Sequence, residues 1–513
     1  MPIHLPRRAA AAALLIAVLP LSAAAQQPGN SPEARTARYF EAVREQPPLL
    51  TAFLREMPKG GDLHSHLSGA VYAESYLRWA AEDGGCIDLR TPRIVNAPCT
   101  PSGDSILSAA QAVANTGIYG QLIDAMSMRN WHPARLNGHD QFFNTFGRFT
   151  AADRRTGDML AEAASRAAAG GVSYLELMLT ADGRAARTLG DRAGWTPDFA
   201  RMRDTLLALG LADSARVASA NLDGVEARRD TVLACGTPAA DPGCRVTVRW
   251  LYQVSRGNPP EQVFAQILMG FVLASRDTSV VGFNLVQPED SRVAMRDYSL
   301  QMRMIGYLRT LYPGVKVTLH AGELAPGLVP PEGLRFHIAQ AVWVAMADRI
   351  GHGVDVMHET GAHELLREMA GRRVMVEIAL TSNAVILGVS GDEHPLRTYL
   401  ARGVPVALAT DDEGVGRSEM TMEYLRAALD QGLDYLTLKR MARTSLEHAF
   451  IRGASVWQDL RRDQPVAECA PAAGGMQGER CRAFAETSGK ARLQRDLERA
   501  FAAFEARYAS MAP

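Results

Sequence analysis

The sequence predicts an α/β fold, a (β/α)8 TIM barrel with an N-terminal helix, helical insertions after the first and second strands, and a helical C-terminal tail. Three observations predict it. Eight short, nearly all-apolar runs recur, at residues 61–67, 172–179, 246–254, 280–286, 316–320, 349–354, 374–380 and 404–409. Longer stretches with apolar residues at helical spacing separate them. Polar residues able to do chemistry close several of the runs, at the end where barrels build their sites. Continuous apolar runs are what parallel strands covered by helices look like. Strand then helix, repeated eight times, favours a closed barrel. An open doubly wound sheet is the alternative, but its Gly-rich phosphate loop after the first strand is missing.

Taken in order, the chain opens with a segment that reads as a secretory leader. Arg7 and Arg8 are followed by thirteen apolar residues, 9–21, and then by the small residues Ala23, Ala24 and Ala25. Thirteen residues are short for a membrane span, so residues 1–25 are expected to be removed and the protein exported, to the periplasm or beyond the cell. Residues 26–513 are then one barrel domain, with its core motifs inside 57–425. Residues 33–57 read as one helix, ended by Pro58. About 100 residues separate the first two runs and must hold extra helices, including the aromatic "NGHDQFFNTFGRF" at 137–149. The stretches 92–135 and 183–245 are insertions without an evident role, and a helix over 490–508 ends the tail.

Composition bounds the partners. The 513 residues are 47% hydrophobic and 22% charged, with 55 basic and 56 acidic side chains. That is a globular make-up without the basic excess that nucleic acid demands. Nothing after residue 25 is long and apolar enough to span a bilayer. The expected partner is a small molecule.

Six cysteines form three close pairs: Cys86 with Cys99, Cys235 with Cys244, and Cys469 with Cys481. Each pair lies in a Gly/Pro/Ala-rich stretch that reads as loop. Fifteen pairings are possible, and the three local ones cost least to close. None forms C-x-x-C, so a redox pair or zinc ribbon is not indicated.

The chemistry sits at the ends of the runs. The first ends "GGDLHSHLSG", and the two-residue spacing puts His64 and His66 on one face of a strand, within reach of one metal ion. The fifth ends "VTLHAGE", with His320 and Glu323; the sixth "RIGHGVD", with His352; the eighth "VALATDDEG", with Asp411 and Asp412. Three histidines and one carboxylate can hold a zinc ion and leave room for water, whose pKa zinc lowers to about 7. Glutamate and histidine remain to move protons. The residues alone read as a mononuclear zinc hydrolase of unspecified substrate. No lysine ends a run, which argues against a lysine-bridged pair of metals.

"MPKGGDLHSHLSGA", "LHAGE", "RIGHG", "TSN" and "ATDD", in that order, resemble the signature segments of the adenosine/AMP deaminase family, most closely its secreted, growth-factor-like adenosine-deaminase-related branch. The resemblance implies that His64, His66, His320 and Asp411 bind one zinc ion per chain. It implies that Glu323 protonates purine N1, that His352 orients or deprotonates the attacking water, that Asp411 also holds it, and that Asp412 bonds N7. Adenosine and 2′-deoxyadenosine would give inosine and ammonia. Two positions depart from the family. Ser68 stands where an aspartate often contacts the ribose, and Gln287, in "NLVQPED", stands where a glycine often lies near N3. The other class of zinc deaminase is excluded, because no H-x-E occurs in the chain. Alternatives are a mononuclear barrel hydrolase of another aminopurine and a secreted binding protein on the same fold. His337, His358, His363 and His448 have no matching partners in sequence, and His394, in "EHPLRTYL", has no derivable role. Phe142, Phe143 and Phe146 read first as core and second as entrance residues.

Overall fold

A computed structural model describes residues 30–103, 105–132 and 137–511. The expected leader, residues 1–25, lies outside them. Eight strands form one parallel sheet in chain order: β1 Gly60–His66, β2 Val172–Leu179, β3 Thr247–Ser255, β4 Val280–Val286, β5 Lys316–Ala321, β6 Arg349–His352, β7 Met375–Ile378 and β8 Val406–Leu408. The cylinder closes just past β8, where Ser65 and Asp411 form a parallel bridge. Asp411 N donates to His64 O at 2.9 Å and His66 N to Asp411 O at 3.1 Å. This is the expected (β/α)8 TIM barrel. The last three strands are shorter than their apolar runs, because the chain leaves the sheet early to present His352, Ala379 and Asp411 at the rim.

The expected helix over 33–57 is two helices, Pro32–Val43 and Pro47–Glu56. Pro47 and Pro48 cannot donate into a preceding turn, so the chain breaks there and restarts. The insertion after β1 holds a three-stranded antiparallel sheet, Arg93–Val95, Cys86–Asp88 and Ile106–Ser108, that the apolar pattern did not signal. Its strands are three residues each, too short to show alternation. The stretch 183–245 holds three helices, Ala185–Ala193, Phe199–Ala208 and Leu211–Val232.

All three expected disulfides are present. Their setting differs from the loops expected: Cys86 begins a strand and Cys481 lies in helix Glu479–Glu486. The tail helix Gly489–Tyr508 packs back on the N-terminal helix Pro32–Val43, with Phe504 and Tyr508 against Phe53 and Tyr39.

An ion pair network crosses the barrel interior. Arg349, wholly buried on β6, donates to Glu377 Oε1 on β7 at 2.5 Å and to Glu176 Oε2 on β2 at 2.6 Å, and lies 3.6 Å from the centre of the Phe450 ring. Removing one partner of a buried pair strands the others without solvent. Arg349→Leu is therefore expected to lower folding stability by about 3–5 kcal/mol in denaturant unfolding. A loss under about 1 kcal/mol would show that the two glutamates find other partners.

Candidate active site

β1 positions the first two ligands. Its pleat sends His64 and His66 inward on one face, and Gly351, just before His352, makes room for the first: a Cβ there would stand 2.6 Å from His64 Cε1. His320 ends β5, and the turn past β8 brings Asp411 over all three. His64 Nε2 lies 3.1 Å and His66 Nε2 3.3 Å from His320 Nε2. Asp411 Oδ1 lies 3.4 and 3.3 Å from the Nε2 atoms of His64 and His66. The four ligand atoms fall within 4.8 Å of one another and are buried.

The outer atoms of this group are already committed. His64 Nδ1 donates to Glu377 Oε2 at 2.6 Å, and His320 Nδ1 to Asn284 Oδ1 at 3.0 Å. His66 Nδ1 lies 2.8 Å from Nε2 of the Gln253 carboxamide, whose oxygen accepts from Thr180 Oγ1 at 3.3 Å. Asp411 Oδ2 accepts from Ser382 Oγ at 2.6 Å. Three imidazole Nε2 atoms and the Asp411 Oδ1 that no hydrogen bond satisfies therefore converge on one buried point. That arrangement suits a metal ion, and three imidazoles with one carboxylate are a tetrahedral N/O donor set. Burial, then the His64, His352 and His66 rings, push His320 well below its ordinary pKa, toward the neutral form that ligation needs. Burial also works against a charge on His64, but its hydrogen bonds to the Asp411 and Glu377 carboxylates outweigh it and raise its pKa to about 10; that proton is the one a metal would displace.

Glu323 stands beside this group. Burial, then the Asp411 and Glu289 carboxylates, push its pKa well above the ordinary 4.5, which favours its acid form. Its backbone is pinned: Glu289 accepts from Gly322 N at 3.1 Å and from Glu323 N at 2.9 Å. Gly322 has φ 76°, and a Cβ there would meet Asp355 Oδ1 at 2.5 Å and Ile338 Cδ1 at 2.6 Å. Burial pushes Asp412 well above 3.8, reinforced by Asp411. Burial pushes His352 down to about 3. His352 Nε2 lies 3.7 Å from Glu323 Oε1. Both His352 and Asp411 have positive φ, 68° and 57°, a strained geometry held by the surrounding bonds.

These side chains floor a cavity of about 440 Å³, walled by Phe142, Phe143 and Phe146 of helix Gly138–Phe149 and by Ser68, Gln253 and Gln287. The three phenylalanines are thus wall as well as core. Gln287 has φ 84°, and its Oε1 accepts from Gly257 N at 2.9 Å. His139 ties the wall helix down, with its ring nitrogens 3.0 Å from Asp290 and 3.0 Å from Asp140. A second cavity of about 480 Å³ opens at the other end of the barrel beside Val404, Leu436 and Leu460. It has no carboxylate in its lining and cannot carry this chemistry.

A profile of the adenosine deaminase family matches residues 156–456. The chain belongs to the adenosine deaminase family. It is 34% identical over 143 residues to an adenosine deaminase of Shewanella loihica, covering 27% of this chain and 39% of that protein. It is 37% identical over 139 residues to one from Yersinia pseudotuberculosis, covering 27% and 38%. The chain thus spans about two-fifths of the length of the curated relatives it matches. Among solved structures, the ADAL–IMP complex superposes with TM-score 0.50 at 20% identity, covering 78% of this chain and 94% of that one. The apo N6-methyl-AMP deaminase of Arabidopsis thaliana gives TM-score 0.50 at 19% identity, covering 78% and 94%. At such identities these two establish the shared barrel fold.

The structure brings His66, Ser68, Gln287, His320, Glu323, Asp411 and Asp412 to the cavity lining, with His64 and His352 buried behind it within reach of Asp411. Sequence reasoning missed the residues behind them. Glu176 and Glu377 stood out only as charges inside apolar runs. Asn284 and Glu289 lay within the "NLVQPED" segment, and His337 has a partner after all, its Nδ1 2.5 Å from Glu289 Oε1. A single divalent metal ion per chain should be found by elemental analysis, and His320→Ala should lower metal retention at least about tenfold. Two tightly held ions per chain would contradict the site.

Proposed function

We propose that the chain hydrolyses adenosine and 2′-deoxyadenosine to inosine and ammonia, using one zinc ion. The observation that carries this reading is Glu323, a buried carboxyl group whose pKa burial pushes up, beside the His–Asp group at the floor of a nucleoside-sized cavity. A zinc ion held by His64, His66, His320 and Asp411 supplies Lewis acidity, lowering the pKa of water toward neutrality.

The chain's own residues supply the rest. Purine N1 accepts a proton from Glu323 as a water oxygen adds at C6; one proton of that water passes to N6, the C6–N6 bond breaks and ammonia leaves, and the proton left on the C6 oxygen returns to the Glu323 carboxylate as the carbonyl forms. N7 of a purine can only accept, so its partner must donate. Asp412, with its pKa pushed up by burial, carries the proton that bond needs. His352 faces the same space and orients the attacking oxygen. The phenylalanine wall offers ring faces to the base. Among the described residues, the cavity lining holds Glu323, Asp411 and Asp412 and no lysine or arginine, which favours a nucleoside over a nucleotide carrying phosphate. Ser68 offers a ribose hydroxyl only a neutral partner, and Gln287 narrows the cavity where the family often has glycine.

Export is part of the proposal. The leader-like residues 1–25 and three disulfides both suit an oxidising compartment, and both agree with the secreted branch of the family.

The deciding experiment is ammonia release from a panel of purine nucleosides, nucleotides and free bases. Adenosine should lead, and AMP and adenine should be poor; a preference for free adenine would overturn the nucleoside assignment. Glu323→Gln should keep zinc and lose about 10²–10⁴-fold in kcat with little change in KM, whereas activity within about threefold of wild type would remove Glu323 from its role. Ser68→Asp should lower KM for adenosine, since a hydrogen bond to a charged group is worth about 1.5–3 kcal/mol against about 1 for a neutral one. An unchanged KM would mean the ribose is held elsewhere.

A further inference from the structure

Whether His352 meets the site as a donor or as an acceptor depends on which ring nitrogen carries its single proton. A buried chain of hydrogen bonds behind the ring decides this, and it begins at a group that cannot change role. Leu396 opens helix Leu396–Ala401, so its N–H has no acceptor within the helix. It points to His394 Nδ1 at 3.1 Å. A backbone N–H only donates, so His394 Nδ1 must accept. His394 is buried, and among the described residues no carboxylate pairs with it; burial pushes its pKa down to about 4. The ring is neutral, and its one proton sits on Nε2.

That proton fixes the next link. His394 Nε2 lies 3.1 Å from Asn383 Oδ1 and donates to it. The Asn383 carboxamide is thereby oriented, with its NH2 turned to His352. Asn383 Nδ2 lies 3.0 Å from His352 Nδ1, which therefore accepts and carries no proton. The remaining proton is on His352 Nε2. This atom is buried, has no hydrogen-bond partner in the protein, and faces Glu323.

We propose that His394 and Asn383 are positioning residues that lock His352 in its Nε2–H tautomer, so that it acts as a hydrogen-bond donor to the attacking oxygen and not as its base. The kinetic consequence rests on the deaminase reading above; the tautomer does not. Three wholly protein-internal bonds define it before any substrate arrives. The opposite tautomer would break at least one of them, setting two donors or two acceptors face to face in a buried place.

Nitrogen NMR of the histidine-labelled, metal-loaded protein reads the tautomer directly, because protonated and bare ring nitrogens resonate far apart. His352, assigned by the loss of its signals in His352→Gln, should show a protonated Nε2 and a bare Nδ1. Asn383→Asp replaces the donor with an acceptor and should invert that pattern, with kcat falling about 10²-fold or more and KM changing little. His394→Gln keeps one acceptor and one donor at the same reach and should preserve both pattern and kcat. His394→Leu should leave Asn383 free to turn, giving mixed tautomers and a kcat loss. A protonated Nδ1 in the wild type would overturn the proposal, and so would unchanged ring signals in Asn383→Asp. If Asn383→Asp does not fold, the comparison of His394→Gln with His394→Leu decides instead, and equal ring signals in those two would refute the lock. A wild-type protein with the expected ring signals but no turnover of any nucleoside would refute the deaminase reading and leave the tautomer assignment standing.

Discussion

The barrel closes on its own ligands. The two backbone hydrogen bonds that join the first strand to the turn after the last belong to His64, His66 and Asp411, three of the four residues whose side chains face the proposed metal. Closing the cylinder and assembling the donor set are one event. The side chains cannot gather unless the strands have the right stagger, and Glu377 adds a second tie. It receives Arg349 on one oxygen and His64 on the other, so the ion pair filling the middle of the barrel also sets the angle of an imidazole at its rim. Burial opposes the Glu377 charge, and the Arg349 and His64 contacts overcome it, holding its pKa below the ordinary value.

Around that seam the polar residues come in layers with different tasks. The inner layer is short of partners: Asp411 Oδ1, Asp412 Oδ1 and His352 Nε2 are buried and unpaired. The next layer holds the first in place: Asn284 bonds His320, Ser382 bonds Asp411, Asn383 bonds His352, Glu377 bonds His64, and Glu289 accepts from Glu323 N. Unpaired polar atoms are costly in a protein interior, and these three lie where a metal and a substrate would take them up. The strained backbone at His352 and Asp411 is held at the same place by the same layer.

The sequence made the barrel legible because its strands are continuous apolar runs with reactive residues at one end, and all eight runs became strands. It made the inner site legible because H-x-H, H-A-G-E, G-H-G and D-D each sit at the end of one such run. What it hid shares a physical cause. Glu377, Glu176 and Asn284 are single polar residues within apolar runs, and only three-dimensional pairing separates a buried partner from an interruption. His394 lies far from its target in sequence and acts through Asn383, so no local spacing could reveal it. The small sheet around Cys86 was hidden because three-residue strands have too few positions to display a period. The break at Pro47 and Pro48 was readable from the proline pair and was masked by the apolar spacing on either side.

The disulfides have a consequence of their own. They join residues 13, 9 and 12 apart, and none links one barrel strand to another. Each cross-link removes freedom from its own short excursion only. The molecule is therefore divided in its dependence on oxidation: the insertions and tail draw on their cross-links, while the cylinder and its histidines rest on apolar packing, hydrogen bonds and ion pairs. Breaking these cross-links would loosen the periphery and leave the bonds that close the cylinder in place.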